Sequence, residues 1–88
     1  MRSERVPDKK EQRGPPDPRQ CFEEIYTAHY PDILAYLRRR TESSDDAADA
    51  LAETFTIAWR RVEDIPGGHA ARLWLYGVAR RVLANGRR

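Results

Sequence analysis

Ser43-Ser44-Asp45-Asp46-Ala47-Ala48-Asp49-Ala50-Leu51-Ala52-Glu53-Thr54-Phe55-Thr56-Ile57-Ala58-Trp59-Arg60-Arg61-Val62 is the stretch whose reading decides the fold. Ala47, Leu51, Phe55, Ala58 and Val62 recur at spacings of three and four, which gathers them on one face of an α-helix and would scatter them over both faces of a strand. The helix start is marked as well. Ser43 or Ser44 can accept a hydrogen bond from a first-turn N–H, and Asp45 and Asp46 put negative charge where the helix dipole favours it.

The same helical period continues on both sides. Residues 22–30 place Phe22, Ile25, Tyr26 and His29 at i, i+3, i+4 and i+7. Pro31 fits the first turn of a second helix, where its missing N–H costs nothing. That helix runs to about Arg40, with Ile33, Leu34 and Leu37 facing inward, and residues 41–44 form a break before the acidic helix. Downstream, residues 63–69 contain Pro66-Gly67-Gly68, a strong helix-breaking signal. A last helix starts near Ala70, with Ala71, Leu75, Val78, Ala79 and Val82 as its inner stripe. The expected fold is all-α, a compact bundle of about four helices.

Composition limits the packed region. Residues 1–20 hold four of the six prolines, many charges, and only Met1 and Val6 as apolar side chains. Such a stretch buries too little surface to offset its ordering entropy, so it reads as a disordered tail, with the domain at residues 21–88. It has no apolar run of signal-peptide length, and no stretch approaches the ~20 apolar residues of a membrane span. A core built from about 68 residues folds alone only marginally. Cys21 is the single cysteine, so an intrachain disulfide is excluded, and a reducing, cytoplasmic setting fits.

Charge is strongly sorted along the chain. Residues 70–88 carry five arginines and no carboxylate, a net of +5, whereas residues 21–69 carry five Lys/Arg against ten Asp/Glu, a net of −5. Ordinary solvated helices mix the two signs. A basic helix suits a polyanion and an acidic one suits a basic protein surface, so two different partners are expected. With Leu75 at the centre of the buried face, Tyr76, Arg80 and Arg87 fall on one flank of the last helix, with Leu73 nearby. Trp74, Arg81, Asn85 and Arg88 fall on the other. Arginines neutralise phosphates, an aromatic ring can stack on an unpaired base, and Asn can hydrogen-bond a base edge. On the acidic helix, Asp49, Glu53 and Thr56 flank Ala52 on a strip away from the core.

Other chemistry lacks support in the residues. The Gly67-Gly68 pair has no preceding strand and no Gly-Lys-Ser/Thr, so it is not a P-loop. Cys21, His29 and His69 match no zinc spacing. No nucleophile–base pair is present, and Asp45 and Asp46 belong to a helix start. No catalytic residue, metal or cofactor is expected.

Two segments are specific enough to resemble a family. Residues 46–59, Asp46-Ala47-Ala48-Asp49-Ala50-Leu51-Ala52-Glu53-Thr54-Phe55-Thr56-Ile57-Ala58-Trp59, resemble the D-A-E-D-L-x-Q-E-T-F-x-x-A-W signature of region 2 in extracytoplasmic-function (ECF) sigma factors of the sigma-70 family. Residues 74–88, Trp74-Leu75-Tyr76-Gly77-Val78-Ala79-Arg80-Arg81-Val82-Leu83-Ala84-Asn85-Gly86-Arg87-Arg88, resemble its W-L-x-x-I-A-R-N-x-x-x-N-x-R-R. Phe22-Glu23-Glu24-Ile25-Tyr26 with Tyr30 and Leu37 is similar to its F-x-x-L-Y…Y…L pattern.

The resemblance implies a bacterial transcription initiation factor, not an enzyme. In that family the acidic helix docks on the clamp helices of the largest subunit of core RNA polymerase, which implies Asp49, Ala52, Glu53 and Thr56 as the contact strip. The following loop and helix recognise the −10 promoter element and hold the single-stranded non-template DNA. Here that implies Gly67, Gly68 and His69 from the loop, and Trp74, Arg80, Arg81, Asn85, Arg87 and Arg88 from the helix. An anti-sigma factor is a further expected partner, and a membrane is not.

The chain departs from the family pattern at Ala48, where Glu is usual, at Ala52, where Gln is usual, and at Arg81, where Asn is common. Arg81 can read guanine through its bidentate fork. The family's helix-turn-helix region 4 has no counterpart before Arg88, so a domain fragment is expected, with a naturally truncated protein as the alternative. A protein-only decoy, binding an anti-sigma factor or the clamp without DNA, is the competing function.

Overall fold

Three α-helices make up nearly all of residues 17–86, which the computed structural model describes. They are α1 (Pro18–Arg40), α2 (Ser44–Arg60) and α3 (His69–Gly86), with a 3-10 turn at Val62–Asp64 between α2 and α3. No strand occurs among the described residues.

The first two helices expected from sequence are one. α1 runs through Pro31 without a break. An interior proline costs a helix about 3 kcal/mol through its lost hydrogen bond and ring clash. Burial outweighs this, because Ile33 and Leu37, both 0% exposed, lie two and six residues beyond the proline. Each contributes about 1.5–3 kcal/mol when removed from water, and a break at Pro31 would release both from the seam. Pro31 itself is exposed.

The start of α1 is also earlier than expected. Asp17 Oδ1 accepts from the Arg19 backbone N–H at 3.1 Å, and Pro18 occupies the first turn. This is an Asp N-cap followed by Pro at N1. Pro18, Arg19 and Gln20, assigned from composition to the tail, are therefore helical. Residues 1–16 of that tail, and Arg87 and Arg88, lie outside the described residues.

α2 packs on both other helices, which also touch each other. Phe22 meets Phe55 and Trp59, with ring centroids 6.3 and 5.5 Å apart, and Tyr26 meets Phe55 at 4.8 Å, so α1 and α2 run antiparallel. The two-sided packing widens the buried stripe of α2. Besides Ala47, Leu51, Phe55 and Ala58, it takes in Ala50 and Thr54, while Val62 belongs to the 3-10 turn and is half-buried. The buried Thr54 hydroxyl donates to the Ala50 carbonyl at 2.7 Å, so no polar group is left unsatisfied there. α3 contributes Ala71, Leu75, Ala79 and Val82, and Val78 is only half-buried. The alanines at 47, 50, 58 and 79 keep the core shallow and the helices close.

α1 and α3 run parallel where they touch. The Arg72 guanidinium pairs with Asp32 at 3.2 Å, and Tyr76 meets Tyr36 with ring centroids 5.0 Å apart. Arg72 is thus engaged with α1.

Of the two candidate caps, Ser43 is used. Its hydroxyl oxygen accepts from the Asp46 N–H at 3.0 Å. Ser43→Ala is expected to cost about 1 kcal/mol, and Ser43→Gly only a few tenths. At this size 1 kcal/mol corresponds to roughly 4–8 °C in melting temperature. Thermal denaturation followed by circular dichroism checks both, and equal melting of the alanine variant and wild type would deny the cap its role.

Candidate nucleic-acid and partner interfaces

α3 exposes a groove of ≈ 460 Å³ on the side that turns toward the end of α2. Trp74, Gly77, Val78, Arg80, Arg81 and Ala84 of α3 line it together with Arg61, the C-cap residue of α2. Trp74 is half-buried, whereas Arg80 and Arg81 are exposed. The structure therefore brings together Trp74, Arg80 and Arg81 of the residues expected from sequence. Arg80 also borders an apolar depression formed by Tyr36, Leu73, Tyr76 and Gly77, in which Leu73 is 68% exposed. The two flanks expected for the basic helix thus meet at Arg80.

The remaining expected residues spread along the same element. Asn85 is exposed near the C-terminal end of α3. Gly67 and Gly68 precede its N-terminus and His69 is its first residue, all three exposed. Gly68 has φ +63°, the left-handed region where glycine carries no Cβ penalty. Its carbonyl accepts from the Ala71 N–H at 3.1 Å, so this conformation launches the helix. His69 and Arg80 are eleven residues apart, roughly 16 Å along a helix, so the loop and the groove are separate stations of one extended surface.

Sequence reasoning missed Arg61. Its signal was present as an arginine immediately before the 3-10 turn, but the turn that swings it over Trp74 is tertiary. The Arg61 Cζ sits 5.9 Å from the Trp74 ring centroid, and its Nε donates to Asp64 Oδ2 at 3.2 Å. Among the described residues the ion pairs are Arg61–Asp64 and Asp32–Arg72, so the basic face of α3 is not neutralised by neighbouring carboxylates.

The acidic strip lies along the middle of α2. Asp49, Ala52, Glu53 and Thr56 are all exposed on α2. Asp46, Asp49 and Glu53 line a second groove together with Arg40, Glu42 and the Val82–Leu83 end of α3. The Thr56 hydroxyl already donates to the Ala52 carbonyl at 2.8 Å, which leaves its oxygen as an acceptor. Ala50 lies beside Val82 and Arg61 beside Trp74, so α2 and α3 are antiparallel, with the acids and the α3 arginines Arg80 and Arg81 lining separate grooves. No helix among the described residues is long and apolar enough to cross a membrane, and none of their His, Cys, Asp and Glu side chains form a group of three that could hold a metal ion.

Residues 25–88, which include all of α2 and α3, match the family model described as Sigma-70 region 2. The chain belongs to the sigma-70 region 2 family.

Curated relatives agree with that membership. The chain is 34% identical over 67 residues to the RNA polymerase sigma factor YlaC of Bacillus subtilis, covering 76% of this chain and 39% of that protein. It is 35% identical over 68 residues to the ECF RNA polymerase sigma factor SigG of Mycobacterium tuberculosis, covering 76% of this chain and 18% of that protein. The chain thus spans about two fifths or less of the length of these sigma factors. No solved structure gives a significant match. On the region 2 scaffold, Ala48, Ala52 and Arg81, the three departures from the family pattern, are all exposed. They alter surfaces and leave the core unchanged.

Proposed function

We propose that this chain is the region 2 module of an ECF-type transcription initiation factor, which docks on core RNA polymerase through α2 and captures the −10 non-template strand through α3 and the loop before it. The observation that carries the reading is that α3 lines one groove with arginines and a tryptophan while carboxylates of α2 line a separate one. The exposed strip Asp49, Ala52, Glu53 and Thr56 fits a basic helical surface, for which the clamp helices of the largest polymerase subunit are the proposed partner. The same strip is the natural target of an anti-sigma factor. The groove with Trp74, Arg80 and Arg81 fits a strand with its bases unstacked, and Gly67, Gly68, His69, Asn85, Arg87 and Arg88 extend that path. Both partners place the module in the cytoplasm.

The work done is capture, with no covalent chemistry. Taking a base out of the duplex stack costs a few kcal/mol, and stacking one base on an aromatic side chain recovers about 1–3 kcal/mol. Arginine–phosphate contacts supply affinity that falls with salt. Asn85 can read a base edge.

Fluorescence anisotropy with labelled single-stranded DNA of varied −10-like sequence tests the reading. The expected result is a linear fall of log K with log salt, with a slope of about −0.7 per phosphate neutralised. Asn85→Ala is expected to keep that slope and to narrow the spread of affinities across sequences. Polymerase clamp binding without any salt-dependent DNA binding would replace this reading with a protein-only decoy, for which the alanine at position 52 gives a motive.

A further inference from the structure

α1 and α3 run side by side with partners 40 residues apart in sequence. Asp32 pairs with Arg72 at 3.2 Å, and one turn further on Tyr36 meets Tyr76 with ring centroids 5.0 Å apart. After one more turn the same spacing brings Arg40 level with Arg80. The first rung joins opposite charges and the second joins two rings, but the third sets two guanidinium groups on one seam. No carboxylate among the described residues forms an ion pair with either of them. Arg40 stands with its Cζ over the Tyr36 ring, 4.0 Å from the centroid. Arg80 borders the depression formed with Tyr36, Leu73, Tyr76 and Gly77. The dipole of α1 favours cations in its last turn, where Arg38 and Arg39 already lie, and Arg80 is in the interior of α3.

Apolar surface lies beside this pair. Leu73 is the most exposed large hydrophobic side chain of the described residues. Gly77 follows it by one turn, in a helix interior where glycine is less favourable than alanine. A Cβ placed on Gly77 would meet nothing within 4 Å, so no packing inside the chain calls for glycine there. The surface suits a protein segment better than a nucleic-acid strand. Tyr36 already has a guanidinium over its ring and Tyr76 beside it, and the most exposed group is the aliphatic Leu73, on which a base cannot stack. A leucine next to two arginines is the complement of an apolar side chain followed by carboxylates.

We propose that the α1–α3 face is a docking site for an acidic amphipathic helix of a partner protein, whose apolar side chain covers Leu73 beside Gly77 and whose carboxylates meet Arg40 and Arg80. Leu73 and Arg80 are about 10 Å apart along α3, so the carboxylates of the partner helix lie two turns from its apolar anchor. Charge complementarity selects the occupant. The strip on α2 fits a basic surface, and this face fits an acidic one. Arg80 also lines the groove assigned to DNA, so the decisive residues are Leu73 and Arg40, which do not. The site stands independently of the DNA reading.

The experiment uses the full 88-residue chain and a labelled synthetic helical peptide, with anisotropy titrations at several salt concentrations. The peptide carries two leucines one turn apart and two glutamates two turns beyond the first leucine, and a matched peptide has glutamine for glutamate. The glutamate peptide is expected to bind about three- to tenfold tighter near 0.1 M salt, with the difference shrinking as salt is raised. Leu73→Ala is expected to weaken both peptides about three- to tenfold at every salt concentration, because it removes apolar contact. Arg40→Gln is expected to weaken the glutamate peptide about two- to fivefold and to leave the glutamine peptide unchanged. Arg60→Ala, which removes an exposed charge from α2 outside this face, is expected to bind both peptides as wild type does. Equal affinity for the two peptides overturns the proposal, as does wild-type binding of the glutamate peptide by both the Leu73→Ala and Arg40→Gln proteins. Loss of single-stranded DNA affinity in Leu73→Ala with peptide affinity unchanged assigns the face to nucleic acid and overturns it too. Peptide binding as expected, without any DNA binding by the wild-type chain, supports the docking site and removes only the DNA reading.

Discussion

Leu75→Ala is expected to produce the largest loss of stability of any single truncation, about 2–5 kcal/mol. Leu75 is 0% exposed and sits midway along α3. Much of the surrounding core is alanine, at positions 47, 50, 58 and 79, and these methyl groups cannot swing inward to fill a cavity. The full transfer and cavity terms therefore apply. A domain of this size has roughly 4–10 kcal/mol in total at 0.05–0.15 kcal/mol per residue, so the variant loses a large part of its stability. Thermal melting should show a drop of at least roughly 10 °C. Leu73→Ala, which truncates a side chain 68% exposed, is expected to melt close to wild type. Similar small shifts for both variants would mean that the core is not organised around Leu75.

Arg81→Glu is expected to have the largest effect on function. Arg81 is exposed, so the substitution leaves the core untouched. In the groove it removes one guanidinium and installs a carboxylate beside the incoming phosphates. A lost hydrogen bond to a charged group is worth about 1.5–3 kcal/mol, and repulsion adds to it. The expected total is about 2–3 kcal/mol or more, roughly 30- to 150-fold in affinity for single-stranded DNA at moderate salt. Two charges change, so the salt slope should fall in magnitude by up to about 1.4. Affinity for the polymerase clamp should be unchanged, because Arg81 lines a different groove from Asp49 and Glu53. A variant that binds DNA as wild type does would remove α3 from the DNA interface.

The fold was legible wherever a segment had one buried face. The periodicity of α2 and α3, the Ser43 cap and the Pro66-Gly67-Gly68 break all lie within a few residues of the observed elements, because local propensity and burial act in the same direction there. The errors arose where tertiary packing overrode a local signal. Pro31 carries a start signal, but Ile33 and Leu37 share a seam with Ile25, and burying that seam as one rod outweighs the proline penalty. Asp17-Pro18 carries a start signal too, which the composition of the tail obscured. Ala50 and Thr54 were missed because a single stripe assumes one neighbour, and α2 has two. At the candidate site, the arginine and tryptophan pattern of α3 was readable from sequence. Arg61 was not, because its position over Trp74 depends on how the 3-10 turn at Val62–Asp64 returns the chain.

The pairing of α2 and α3 sets the range over which this chain can attract a polyanion. Its formal net charge is only +2, so the monopole gives a polyanion little purchase at long range. The C-terminal part of α3, with Arg80 and Arg81, packs beside the part of α2 that carries Asp46, Asp49 and Glu53, while the two signs line separate grooves. From a distance the carboxylates offset the arginines, and only at close approach does the α3 groove present a positive field of its own. Recognition of phosphates is therefore a short-range event, and added salt erodes it further.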